Sequence, residues 1–200
     1  MTCTTYADIL RPSTRQKALA YDIVLITGGS LFIALCARVT IPLPFSPVPI
    51  TGQTLAVLLT GALLGSRRGS LCLLTYLAEG AIGLPVFAVG ETAGLARLVG
   101  PTGGYLAGFV AAAYVTGLLA ERGWDRRVGT TLLAMLFGNV ALYAFGLPWL
   151  ALSVGIERAL VLGLYPFFLG DLVKLALATT LLPSGWKMLG TRGRKRDRSL

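Results

Sequence analysis

The sequence contains no histidine, and only three of its 200 residues are cysteines. Cys3, Cys36 and Cys72 are not spaced like a metal or redox pair. Without imidazoles or a thiolate cluster, a zinc or haem site is not expected. Charge is scarce as well, at 14% of residues, against about 25% in a soluble domain. So few charges do not cover a water-facing surface of this size. Hydrophobic residues make up 54% of the chain, and the mean hydropathy is +0.72. The composition belongs to an integral membrane protein.

The formal charge of +9 suggests nucleic acid only until its distribution is considered. Lys187, Arg192, Arg194, Lys195, Arg196 and Arg198 crowd the C-terminus, and most other cations flank apolar runs. That pattern is a topology signal, and nucleic acid is not an expected partner.

The apolar runs predict an all-α, polytopic membrane bundle of about six transmembrane helices. The spans fall near Leu19–Val39, Thr51–Gly65, Gly69–Gly83, Tyr105–Ala120, Val128–Leu147 and Pro166–Leu182. The first apolar run lacks a small-residue cleavage site after it and is expected to be retained as a helix. Four prolines between Ile41 and Ile50 exclude a regular helix there. Pro148-Trp149 is expected to end the fifth span, leaving residues 151–165 as an interfacial or re-entrant helix. The resulting organisation is a cytoplasmic N-terminal segment (1–18), a membrane domain with outer ligand-binding loops (19–182) and a basic cytoplasmic tail (183–200). No internal repeat or second domain is evident.

Six spans place both termini on one side. That side carries Arg11, Arg15, Lys17, Arg67, Arg68, Arg122, Arg126, Arg127 and the six cations of the tail. The other side carries Arg38, Arg97 and Arg158. Positive charge marks the cytoplasmic face, so both termini are expected inside the cell.

Ionisable groups at membrane depth are expensive and usually paired or functional. Asp22 lies near Lys17 at the inner edge, where an interfacial role suffices. Glu79 lies near the outer end of the third span, facing either water, neighbouring helices or a pocket. Gln53 and Asn139 are the neutral polar residues within spans. Asp171 and Lys174 are three apart on the last span and share a helix face in its outer half. They form either a structural ion pair or a polar site for a ligand bearing both donors and acceptors. The longest loops are all on the outer side, where loops over a bundle form lids and binding sites. Gly100-Pro-Thr-Gly-Gly-Tyr105 opens the fourth span. Gly103 lets backbone approach a ligand and Tyr105 can stack on one; the same residues also suit a tight turn with an interfacial tyrosine.

Several motifs in this order resemble the BioY family, the biotin-binding S components of energy-coupling-factor (ECF) transporters. They are Pro47-Val-Pro-Ile-Thr-Gly-Gln-Thr-Leu55, Leu64-Gly-Ser-Arg-Arg-Gly69, Gly83-Leu-Pro-Val-Phe87, Gly100-Pro-Thr-Gly-Gly-Tyr105 and Pro166-Phe-Phe-Leu-Gly-Asp-Leu-Val-Lys174. The similarity runs from about Ile33 to Leu182. It implies six helices in a prokaryotic plasma membrane, an outward cavity, biotin as transported ligand and no cofactor. It also implies a coupling membrane subunit and two ATPase subunits as partners, although some members act without dedicated ones. No Walker-type phosphate loop is present, so ATP hydrolysis belongs to other chains and the protein is not expected to be an enzyme. Under this resemblance Asp171 accepts from the ureido N–H groups, Lys174 donates to a ligand oxygen, and Tyr105, Gly103 and Gln53 contribute to the pocket. Arg97 is a candidate for the carboxylate or a solvated loop charge. Glu79 and Gly52 depart from the family pattern. Ser30 and Ala34, four apart on the first span, offer a close-approach surface for a coupling subunit. Basic residues of the tail attract anionic lipid. The rival readings are an S component for another vitamin, an intramembrane enzyme using Asp171 and Lys174, and a purely structural subunit.

Overall fold

Backbone groups in hydrocarbon must bond within their own segment, so the apolar runs fold as helices. The computed structural model describes residues 4–88 and 94–196, with 190–196 as backbone alone. In chain order the helices are α1 (Tyr6–Ile9), α2 (Arg15–Ala37), α3 (Gln53–Leu64), α4 (Ser66–Ala81), α5 (Leu95–Val99), α6 (Gly103–Ala120), α7 (Val128–Val154), α8 (Ile156–Gly163) and α9 (Tyr165–Arg196). Among the described residues, four segments are long and apolar enough to cross a bilayer: Arg15–Ala37, Gly103–Ala120, Val128–Val154 and Tyr165–Leu189. Helices α3 and α4, at 12 and 16 residues, coincide with the expected second and third spans but fall short of that length.

The centre of the bundle is α6, which packs along α7, α3 and α4. Its hydrophobic window is 67% buried, whereas that of α2 is only 11% buried. Leu19, Ile23, Leu31 and Leu35 of α2 are exposed, which identifies α2 as the peripheral helix. Close contact between α3 and α6 depends on Gly61, where a Cβ would stand 2.2 Å from Thr116 Oγ1 and 2.4 Å from the Ala113 carbonyl. Small residues drive helix association in lipid because they let backbones touch.

The proline-rich stretch is not wholly irregular. Strands β1 (Thr40–Ile41) and β2 (Ile50–Thr51) pair antiparallel, with Thr40 opposite Thr51 and Ile41 opposite Ile50. The prolines lie between the paired residues, where no ladder hydrogen bond is lost. The hairpin leads directly into α3.

Three expectations are corrected. Pro148 does not end the fifth span, because α7 continues through it to Val154. Packing next to the proline holds the helix in place: Trp149 sits against Gly104, and its indole N–H donates to the Gly100 carbonyl at 2.9 Å. Residues 151–165 therefore divide between the end of α7, the short helix α8 and the start of α9. Ser30 does not face lipid; it is fully buried and donates its hydroxyl to Glu79 of α4. The expected basic tail is helical as far as Arg196, and residues 197–200 lie outside those described. Part of the expected outer loop, residues 89–93, and Cys3 also lie outside them.

Candidate ligand-binding site

A cavity of about 50 Å³ lies among the β1–β2 hairpin, α3, α5, α6, α7 and α9. Its walls are mostly apolar, with Leu106 and Phe109 from α6, Leu142 from α7, Phe167 from α9 and Val48 from the hairpin loop. Three charged residues line it: Arg97, Asp171 and Lys174.

Asp171 is buried, at 8% exposure. Tyr143 of α7 donates its hydroxyl to Asp171 Oδ2 at 2.5 Å. Lys174 Nζ donates to Thr54 Oγ1 of α3 at 2.7 Å and stands 3.4 Å from Asp171 Oδ1. The pair expected from helix spacing is thus present, but it is loose and joined by hydroxyls from two other helices. Each charge keeps hydrogen-bonding capacity for a further partner.

Arg97 is buried at 4% exposure and lines the same cavity. It is not a solvated loop charge. Burial pushes its guanidinium down to about 10, with the Tyr76 hydroxyl opposing the shift, so it remains a cation at neutral pH.

Tyr105 lies in the cavity wall, buried against Gly146, with its hydroxyl donated to the Gly163 carbonyl at 2.9 Å. Gln53 also lines the cavity, but its side-chain amide donates to Tyr76 Oη at 2.5 Å, and Tyr76 in turn donates to the Val86 carbonyl at 3.1 Å. That chain ties α3 and α4 to the segment that follows α4. Gly103 is outside the lining. Its amide closes a turn onto the Gly100 carbonyl at 2.9 Å, and a Cβ there would meet the Leu98 carbonyl oxygen at 1.9 Å. Gly103 therefore serves a close backbone approach, while its neighbour Thr102 reaches the cavity. Glu79 bonds Ser30 and is not among the lining residues.

Sequence reasoning missed Thr54 and Tyr143. A phenol within an apolar span needs a hydrogen-bond partner, and that is the one sequence signal Tyr143 offered. Thr54 offered none beyond its place beside Gln53.

The BioY family profile matches residues 11–191. The chain belongs to the BioY family. A biotin transporter BioY from Rhizobium etli is 42% identical over 170 residues, covering 80% of this chain and 90% of the relative. One from Thermotoga maritima is 39% identical over 158 residues, covering 78% and 92%. The fold is similar to that of a solved S-component for biotin from an ECF-type ABC transporter, with a TM-score of 0.73 and 26% identity over 88% of this chain and 95% of that one. The BioY relationship therefore spans the whole bundle, including every element that lines the cavity.

Proposed function

We propose that this protein is a biotin-capturing transport subunit of the plasma membrane, energised by a separate coupling subunit and two ATPase subunits. The observation that carries this reading is the composition of the cavity. Two cations and one anion line an otherwise largely apolar space, which suits a mostly apolar ligand with one negative charge. Biotin has that character. Its ureido ring offers two N–H donors and a carbonyl acceptor, its thiophane ring and chain want apolar walls, and its carboxylate wants a cation. In this arrangement Asp171 accepts from the ureido N–H groups and Lys174 donates to the ureido oxygen. Arg97 neutralises the carboxylate, and Tyr105 with the neighbouring apolar side chains encloses the rest.

Under the same reading α2, α3, α4, α6, α7 and α9 all cross the membrane with both termini in the cytoplasm. The excess of cations in the segments that join the helices on the terminal side supports this orientation. The short α3 is extended outward by the hairpin that precedes it. The N-terminal segment (1–18) and the basic C-terminal segment (183–200) then both belong to the cytoplasmic side, where anionic lipid would gather near the tail's cations. The sequence has no phosphate loop of its own, and the relatives are named as transporters, which supports a subunit without catalytic activity or cofactor.

Equilibrium binding of biotin to the detergent-purified protein tests this, beside Asp171→Ala and Lys174→Ala variants that retain the parent's thermal transition. Tight binding by the parent and a loss of at least about 30-fold in each variant are expected, because each substitution also strands the partner charge. A folded parent that does not bind biotin would overturn the proposal.

A further inference from the structure

Three residues apart on one helix, Asp171 and Lys174 have the spacing to close into direct contact. They do not close. The ammonium stands 3.4 Å from the carboxylate, well beyond the ~2.7–2.9 Å of a charge-assisted hydrogen bond. Each charge is drawn instead to a hydroxyl on a different helix. Tyr143 of α7 meets Asp171 at 2.5 Å, and Thr54 of α3 meets Lys174 at 2.7 Å. Both contacts are shorter than the one within the pair, and all four residues line the cavity.

We propose that Tyr143 and Thr54 are positioning residues that hold the Asp171–Lys174 pair open, so that acceptor and donor face a ligand side by side. This rests on the biotin reading above. A cyclic urea presents N–H donors beside a carbonyl acceptor, and it needs a carboxylate and an ammonium that are adjacent yet not spent on each other. A closed pair would have to be broken before the ligand could bond to either member. The hydroxyls satisfy part of each charge's demand without blocking it. An ammonium has three N–H donors, and a carboxylate has spare lone pairs on both oxygens.

The two hydroxyls are themselves anchored. The Tyr143 ring stands edge-on to Tyr105, with centroids 6.2 Å apart, and Tyr105 is fixed by its bond to Gly163. Thr54 lies in the first turn of α3 beside Gln53, whose bond to Tyr76 holds that turn against α4. Tyr143 and Thr54 thus transmit the packing of α6, α7 and α3 to two charges on α9.

The test is biotin affinity and dissociation rate in Thr54→Val, Thr54→Ser and Tyr143→Phe, with thermal transitions recorded for each. Thr54→Val and Tyr143→Phe preserve shape and remove one hydroxyl each. Both are expected to bind about tenfold more weakly, mainly through faster dissociation. Thr54→Ser restores the hydroxyl and is expected to bind within about twofold of the parent; rescue of this kind distinguishes positioning of the ammonium from packing of the threonine methyl. Should Thr54→Val fail to fold, Thr54→Ala gives the same comparison with serine. A parent that binds biotin, with valine, serine and phenylalanine variants all equal to it, would overturn this inference alone. So would a serine variant as weak as the valine variant. A parent that does not bind biotin would overturn the biotin reading and this inference with it.

Discussion

Glu121, just beyond the end of α6, accepts the backbone N–H of Ser66 at 2.7 Å and its hydroxyl at 2.9 Å, both on one carboxylate oxygen. Ser66 is the first residue of α4, and Gly65 before it has a φ of +85°. The chain turns sharply there from α3 into α4, in a left-handed conformation that favours glycine. Gly65, the residue before α4, has no side chain to cap it, so the acceptor comes from the far end of α6. A carboxylate at a helix N-terminus satisfies an orphan donor and complements the helix dipole. Glu121→Ala is expected to destabilise the protein by about 1–3 kcal/mol, and Glu121→Gln, which keeps an acceptor, by less. Thermal unfolding in detergent checks this. Biotin binding at a temperature where both variants are folded should match the parent, because Glu121 does not line the cavity.

A second prediction concerns the C-terminal end of α9. Asp125 is buried at 1% exposure, and Trp186 donates its indole N–H to it at 2.5 Å. The Arg126 guanidinium lies 4.6 Å over the Trp186 ring, and the Tyr6 ring packs 4.4 Å from it. Burial pushes the Asp125 carboxyl up from its ordinary value, against the opposing effect of the Trp186 N–H. A folded-state pKa above the unfolded one favours the folded state while the group is protonated. That contribution is complete below the unfolded value, about 4, and is lost as pH rises through the folded value. Asp125→Asn keeps an oxygen for the indole and removes the ionisation. It is expected to abolish this component of the fall in thermal stability with rising pH, and to leave the protein at least as stable as the parent at neutrality. A Tm profile across the acidic range, parent beside variant, is the measurement.

Arg97 yields a third prediction, about which part of the ligand it meets. If it neutralises the carboxylate of biotin, Arg97→Met should weaken biotin about tenfold or more. The same substitution should leave the carboxamide of biotin, which carries no charge, bound nearly as by the parent. Titration of both ligands against both proteins gives the answer. Equal losses for acid and amide would move Arg97 away from the carboxylate. Arg97 keeps its charge through neutrality and titrates only at about 10, so this discrimination should be flat across the physiological range.

Much of the bundle was legible because it is written locally. Apolar runs of the right length mark α2, α6, α7 and α9, and the spacing of Asp171 and Lys174 puts them on one face wherever α9 packs. The readings that the structure changed or narrowed share one cause. Pro148 reads as a helix end until Gly104 and Trp149 meet across α6 and α7. Ser30 reads as a lipid-facing small residue until Glu79 is found opposite it. Gly103 reads as a ligand-approach residue until the Leu98 carbonyl occupies the space beside it. Arg97 reads equally as loop or site until α5 packs against α6 and buries it. Each depends on a partner distant in sequence, and periodicity carries no information about distant partners.

Composition and order of residues alone determined that this chain lives in a membrane, because too few charges exist to cover a surface in water. They also determined that its last helix carries an acid and a base on one face, because helical spacing is fixed by backbone geometry. Only the tertiary structure decided that this acid and base line a cavity and make only a long contact with each other. Thr54 and Tyr143, from helices far away in the chain, each hydrogen-bond one member of the pair, and long-range packing alone brings their hydroxyls within reach.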